Sequence, residues 1–328
     1  MFNEALYVTD PHTVKVTDPL FSHYVELIGT VVIPYQWEIL NDRVEGAVQS
    51  HCLENFRIAA GLSKGGYYGQ VFQDTDLYKW LEALAFCLMR GQASPFEAVG
   101  DEAIAIIEQA QLPDGYLHTY HILGRIEERW TNLLEAHELY SAGHLIEAAV
   151  AYHQATGKDR LLNVAIRFAD LICSTFGPGE QQIHGYPGHE EIELALIKLH
   201  RHTGERRYLD TARYFLDTRG TEPNYFTAEV ERRGGKGIYH EFGDYDLSYS
   251  QAHMRPVEQR EGEGHAVRAL YLYSAMADLA EETGDDAYRS ACEALYQNIA
   301  ERRMYITGSV GSSGFLERFT VDYDLPND

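Results

Sequence analysis

Residues 145–172 read LIEAAVAYHQATGKDRLLNVAIRFADLI. Apolar residues recur every three or four positions on both sides of Thr156 and Gly157, the period of a helix with one buried face. Gly157 stands where the first run must stop, free to take the left-handed conformation that closes a helix, and the charged pair Lys158 and Asp159 opens the next run. The stretch predicts two helices folded back on each other. The same unit recurs at 192–217 (IELALIKLHRHTGERRYLDTARYFLD) and at 267–303 (VRALYLYSAMADLAEETGDDAYRSACEALYQNIAERR), with Gly204 and Gly284 at the reversals. Spacings of 47 and 80 residues between these glycines argue against a strict solenoid and for helical pairs with loops inserted between them.

Upstream, DTDLYKWLEALAFCLMR (74–90) and SPFEAVGDEAIAIIEQAQ (94–111) form another hairpin. Asp74 or Thr75 can cap its first helix, and Ser94, Pro95 and Glu97 start its second. YQWEILNDRV (35–44) with CLENFRIAAG (52–61) supplies a fifth pair. The segments between pairs are rich in Gly, His, Tyr and Glu: LPDGYLHTYHILGRIEERW (112–130), FGPGEQQIHGYPGHE (176–190) and GGKGIYHEFGDYDLSYSQAHMRPVEQREGEGH (234–265). Helix pairs joined by such loops fit an all-α toroid, the (α/α)6 barrel, with a ligand at one end of the ring. A closed ring takes six pairs, so the expectation is a single barrel domain over 1–328, incomplete at its C-terminus, with an irregular lead-in over 1–25.

The 328 residues are 45% hydrophobic, with 23 Tyr, 13 Phe and 3 Trp, enough for a packed core. A net charge of −23 repels phosphate backbones and anionic lipid, which excludes nucleic acid and acidic membrane surfaces as partners. Acid together with many aromatic rings suits a neutral, hydroxyl-rich ligand such as a carbohydrate. The start, MFNEALYVTDPHTVKV, has no basic and apolar leader pattern, and no run of about 18 apolar residues occurs, so a cytoplasmic chain is expected. Cys52, Cys87, Cys173 and Cys292 lack metal-site spacing and read as small buried apolar residues.

Five residues stand out for chemistry. His137 and His144 lie seven apart in LLEAHELYSAGHLIEAA, so on one helix they share a face with Tyr140 between them. As a pair they are either groove histidines bonded to carbonyls or part of a metal site for which no further ligands appear. His189 sits at the mouth of a helix expected to begin near Gly188, and His265 does the same near Gly264. With His137, three histidines near helix starts in successive repeats would point into one central cavity. Glu317, flanked by Phe315, Leu316 and Phe319, is the candidate acid or base, because an apolar setting favours the neutral carboxyl a general acid needs. A surface glutamate beside Arg318 is the plainer alternative. Glycosidases commonly use a second group as nucleophile or base, and spacing singles out none among Glu38, Asp74, Glu190, Glu191, Glu261 and Glu263.

IPYQWEILND (33–42), FQDTDLYKWLEALAF (72–86), LPDGYLHTY (112–120), LLEAHELYSAGHLIEAAVAY (133–152), YPGHEEIELAL (186–196), QREGEGHAVRALYLYSAMADLA (259–280) and MYITGSVGSSGFLERFTVDYDLPND (304–328) resemble glycoside hydrolase family 127, the β-L-arabinofuranosidases. The resemblance runs from about Thr30 to Asp328. It implies a catalytic (α/α)6 barrel followed by β-sandwich domains, which this chain is expected to lack, and removal of terminal β-L-arabinofuranose with retention. It also implies that Glu317, in LERF where the family has a GEAF-like motif, is the general acid/base. His137, His189, His265 and Gln36 would bind the sugar. Arg318 departs from the family's Ala and would alter the acid or fill part of the pocket.

The family nucleophile is a zinc-held cysteine thiolate whose Glu and Cys ligands follow DYDLPND. Those ligands are expected to lie beyond this chain, so no metal is expected in it. As given, the chain is expected to be inactive or weakly active and to self-associate through helix faces left bare. A glycosidase of the same fold on a different sugar, or a non-catalytic sugar-binding protein, are the alternatives.

Overall fold

Asp18 starts the first helix: its carboxylate accepts from the amides of Leu20 (2.9 Å) and Phe21 (3.1 Å), and Pro19 supplies a fixed φ at the first helical position. The computed structural model describes residues 11–239 and 246–327. Its helices are α1 (Pro19–Leu27), α2 (Ile33–Leu40), α3 (Cys52–Ala59), α4 (Asp74–Met89), α5 (Glu97–Ala110), α6 (Thr119–Ile122), α7 (Glu138–Thr156), α8 (Arg160–Thr175), α9 (Ile192–Thr203), α10 (Arg206–Thr218), α11 (Tyr225–Arg232), α12 (Ala266–Thr283) and α13 (Asp286–Asn298). Among the described residues β-pairing is limited to isolated bridges. The lead-in expected to be irregular over 1–25 is thus helical from Pro19. Residues 240–245 of the long loop singled out above, and residues 1–10 of the lead-in, lie outside the described residues.

The chain divides into two compact units, one of Met1–Arg129 with His144–Leu171, the other of Trp130–Gly143 with Ile172–Asp328. In the first, α2 packs on α4, and α3 on α4 and α5. The Trp37 and Trp80 rings stand 4.8 Å apart, and the Trp80 indole donates to the Ile33 carbonyl at 3.0 Å. Asp74 does not cap α4 as expected. It is buried, and its carboxylate accepts from the Thr119 amide (2.8 Å) and hydroxyl, so a tertiary bond outcompetes the local one. Ser94–Phe96 forms a 3-10 turn that leads into α5 at Glu97.

In the second unit α9 and α10 form one hairpin and α12 and α13 another, with α9 also against α12. Gly204 closes α9 in the left-handed region (φ 78°), its amide donating to His200 at 2.7 Å, and Gly284 closes α12 likewise. Leu196, Leu199, Phe215, Leu216, Leu272 and Leu279 are fully buried between these helices. Each such side chain contributes about 1.5–3 kcal/mol relative to exposure. Among the described residues no helix is long and apolar enough to cross a membrane.

Candidate functional site

The site begins with the segment before α7. Glu229 on α11 is buried, and its carboxylate accepts from the amides of Leu133 (2.8 Å) and Leu134 (3.2 Å). The Gly188 amide donates to the Leu133 carbonyl at 2.9 Å, and a Cβ at Gly188 would overlap the Leu134 carbonyl, so only glycine permits this approach. Glu135, also buried, accepts from the amide of Ile238 (3.0 Å) and lies 3.4 Å from Arg233. His137 follows in the left-handed conformation (φ 58°), and its Nδ1 donates to the Glu135 carbonyl. Because α7 starts only at Glu138, the seven-residue spacing does not put His137 and His144 on one helical face as expected. His144 belongs to the first unit, buried, with desolvation and then Lys79 pushing it well below the usual histidine range.

His189 lies in the loop before α9, whose first residue is Ile192 rather than one near Gly188. Two buried arginines hold that loop. Arg219 donates to the carbonyls of Pro187 (2.8 Å) and Ser250 (2.7 Å) and pairs with Glu190 (2.9 Å) and Glu193 (3.1 Å); Arg268 donates to the Gly188 carbonyl at 2.6 Å. Desolvation pushes the Glu190 carboxyl up to about 8 against the pull of Arg219 and Arg268. His189 Nδ1 donates to the Glu190 carbonyl at 2.8 Å, and desolvation, Arg268 and His137 together keep the ring neutral, which leaves Nε2 as an acceptor.

His265 caps α12. Its Nδ1 accepts from the Arg268 amide at 3.3 Å, so the proton of the neutral ring sits on Nε2 and is donated to Glu317 Oε2 at 2.9 Å. Desolvation lowers His265 to about 4, with Arg268 adding to that effect and Glu317 opposing it. Glu317 arrives on a strained backbone: Leu316 (φ 57°) and Glu317 (φ 50°) are both left-handed. A short bridge holds them, in which the Ala266 amide donates to the Glu317 carbonyl (2.9 Å) and the Phe319 amide to that of Gly264 (2.8 Å). The Glu317 side chain is 74% exposed and Phe315 is exposed as well, so the apolar setting expected around the carboxyl is not found. Phe319 turns into the core instead. Arg318 points to Asp246 and Ser248, each at 3.1 Å, and anchors the turn that carries Glu317.

The structure therefore brings His137, His189, His265 and Glu317 together. Ring centroids lie 5.5 Å apart for His137 and His189 and again for His189 and His265, with Tyr140 4.3 Å from His189 and Tyr249 5.5 Å from His265. The cluster is a wall of imidazole and phenol rings ending in one carboxylate. Gln36 belongs to the first unit, where it lines a cavity on α2. Arg219, Arg268 and Tyr249 escape sequence reading because no period or motif marks them; the one hint is an arginine directly before Gly220 after a helix. Among the described residues no group of three or more His, Cys, Asp or Glu side chains is placed to hold a metal ion. Cys52 and Cys87 are buried as expected, while Cys173 and Cys292 are only partly so. These donors do not fit a zinc-thiolate centre.

Residues 13–328 match the family described as β-L-arabinofuranosidase, GH127 catalytic domain. The chain belongs to this family. A curated relative, the non-reducing end β-L-arabinofuranosidase of Bifidobacterium longum subsp. longum, is 40% identical over 96% of this chain and 50% of its own length. The crystal structure of a GH127 β-L-arabinofuranosidase from Geobacillus stearothermophilus T6 superposes with a TM-score of 0.92 at 51% identity, over 96% of this chain and 49% of that one. A further GH127 β-arabinofuranosidase structure matches with a TM-score of 0.84 at 38% identity, over 97% and 47%. The chain thus spans about half the length of these relatives. Its fold class is the one read from the sequence, all-α and built from helical hairpins of the α/α-barrel type.

Proposed function

We propose that this chain carries the sugar-binding and acid/base half of a retaining β-L-arabinofuranosidase site. The observation that carries this reading is the 2.9 Å bond from His265 Nε2 to Glu317 Oε2 at the end of the histidine wall. His137 and His189 each spend Nδ1 on a carbonyl, so each turns Nε2 toward a sugar hydroxyl as an acceptor. His265 fixes one oxygen of Glu317, and the other oxygen gives its proton to the leaving oxygen and takes one back from water. Gln36 contributes an amide to sugar binding. The zinc-held thiolate of the family would supply the nucleophile when present; no described residue fits that centre.

The test is calorimetric titration of the 328-residue chain with methyl β-L-arabinofuranoside, beside a hydrolysis assay on its p-nitrophenyl counterpart. Saturable binding, lost about tenfold or more in His189→Ala and retained in Glu317→Gln, with little or no turnover, is the expected result; a factor of ten corresponds to about 1.4 kcal/mol. Equal binding by the wild type and His189→Ala would refute the assignment. Fast hydrolysis by this chain, abolished in Glu317→Gln, would keep the acid but overturn the expectation of weak activity.

A further inference from the structure

His265 and Glu317 come from two segments that run antiparallel: the Ala266 amide donates to the Glu317 carbonyl (2.9 Å) and the Phe319 amide to the Gly264 carbonyl (2.8 Å). Continued in that register, Gly262 would face Val321, but there side chains take over from the backbone pairing. The Gly262 amide donates to Asn298 Oδ1 (2.9 Å), and its carbonyl accepts from Arg303 Nη1. Asn298 Nδ2 (3.2 Å) and Arg303 Nε (2.8 Å) both donate in turn to Oδ1 of Asp322. We infer that Asp322 is a positioning residue for Glu317: through Asn298 and Arg303 it locks the segment carrying that carboxylate onto the segment carrying His265. This role rests on the reading of Glu317 as the acid/base given above; Asp322 works through its neighbours and is not itself catalytic.

Glu317 needs such a hold. Leu316 and Glu317 are both left-handed (φ 57° and 50°), a conformation that non-glycine residues keep only where the surroundings enforce it. The Glu317 side chain is largely exposed, so packing does not fix it. Arg318 anchors the turn on one side through Asp246 and Ser248, and Asp322 anchors it on the other.

The second anchor is stiff. Asn298 and Arg303 are buried, and a Cβ at Gly262 would press on Ile299, so the segment before His265 lies tight against the turn between them. Arg302 adds a bond to Asp322 Oδ2 at 2.9 Å, and the Tyr323 amide donates to the Arg302 carbonyl at 2.8 Å. Hydrogen bonds from Arg303 and then Arg302 hold the Asp322 carboxyl down to about 2, so the lock stays ionised through the neutral range. A cluster that merely tied down this stretch of chain would need only one cation on Asp322. Here both buried donors are shared with Gly262, three residues before His265.

The experiment is the ring-nitrogen NMR spectrum of the whole 328-residue chain at pH 7, read at His265 Nε2. The proteins are the wild type, Glu317→Ala, Asp322→Ala, Asp322→Asn and the double variant of Asp322→Ala with Glu317→Ala, each checked for its fold by circular dichroism. Glu317→Ala removes the acceptor of the Nε2 proton and so sets the sign and size of the shift that loss of the bond produces. Asp322→Ala is expected to move the signal the same way, by about half that amount or more, and to move it no further in the Glu317→Ala background. A loss of stability alone would leave the signal in place. Asp322→Asn keeps one oxygen for Arg303 and Asn298 and should fall between the wild type and Asp322→Ala; it carries the test if the alanine variant does not fold. An unmoved signal in the Asp322 variants, beside a moved one in Glu317→Ala, overturns the positioning role and leaves the acid/base reading standing. Equal movement by Asp322→Ala with and without Glu317 overturns it too, because the effect would not pass through that carboxylate. A signal unmoved in Glu317→Ala overturns the pairing of His265 with Glu317 and the positioning role with it.

Discussion

Glu190 makes stability fall as pH rises from 6.5 to 8. The carboxyl is fully buried, and desolvation raises it from 4.5 to about 8 even though Arg219 and Arg268 pull it down. In the unfolded chain it is ionised throughout this window, whereas the folded protein keeps its proton until about pH 8. Its contribution is therefore complete below 4.5 and lost as pH climbs through 8, about 5 kcal/mol in all at roughly 1.4 kcal/mol per unit. Between pH 6.5 and 8 the loss amounts to about 1.6 kcal/mol, because the slope flattens as the folded group begins to ionise.

His121 and His265, both lowered to about 4, and the depressed His144 and His189 act in the opposite sense, their stability growing as pH rises through 6.5, so Glu190 is read from the difference between the wild type and Glu190→Gln; Asp74, raised to about 6, titrates below the window. Urea unfolding followed by circular dichroism at pH 6.5, 7.25 and 8 measures the effect. Relative to Glu190→Gln, neutral at every pH, the wild type should lose about 1.6 kcal/mol across the range. Parallel declines in the two proteins would refute the argument that Glu190 is buried as its proton-bound form.

Three other outcomes follow from the same geometry. Arg219→Met removes the cation from the buried Glu193 carboxylate and the donor from the Glu190 carboxyl and the carbonyls of Pro187 and Ser250, and should cost about 3–5 kcal/mol in urea unfolding; a cost below about 1 kcal/mol would contradict the buried network. Gly188→Ala drives a methyl into the Leu134 carbonyl and should destabilise by about 3 kcal/mol in the same assay, with no change expected only if the two segments are not in contact. Glu317→Gln removes the carboxylate that favours the charged His265, so the NMR midpoint of that ring should move below about 4; an unmoved midpoint would mean the 2.9 Å bond is absent in solution.

The helical pairs were legible in the sequence because two local signals coincide, a 3.6-residue apolar period and a glycine at each reversal, and both survive in α9–α10 and α12–α13. The caps were less so. Asp74 looked like a helix start but found a partner in Thr119, 45 residues away, which no local rule anticipates. The histidine cluster was legible through the repetition of His near helix starts, although the local geometry differed: His137 is left-handed and outside α7, and His189 precedes α9 by a loop. The exposure of Glu317 was hidden because the apolar neighbours in its sequence divide, Phe319 inward and Phe315 outward. Arg219 carries no pattern at all, since its partners come from residues 187, 190, 193 and 250.

The central claim is that one sugar meets His137, His189 and His265 together. The measurement that tests it most directly is the ring-nitrogen NMR spectrum of the histidines during titration with methyl β-L-arabinofuranoside. Hydroxyls donating to the rings should shift the Nε2 signals of His137 and His189 and perturb that of His265, while His121 and His144 stay unmoved. Saturation with none of the three rings shifted would contradict the account.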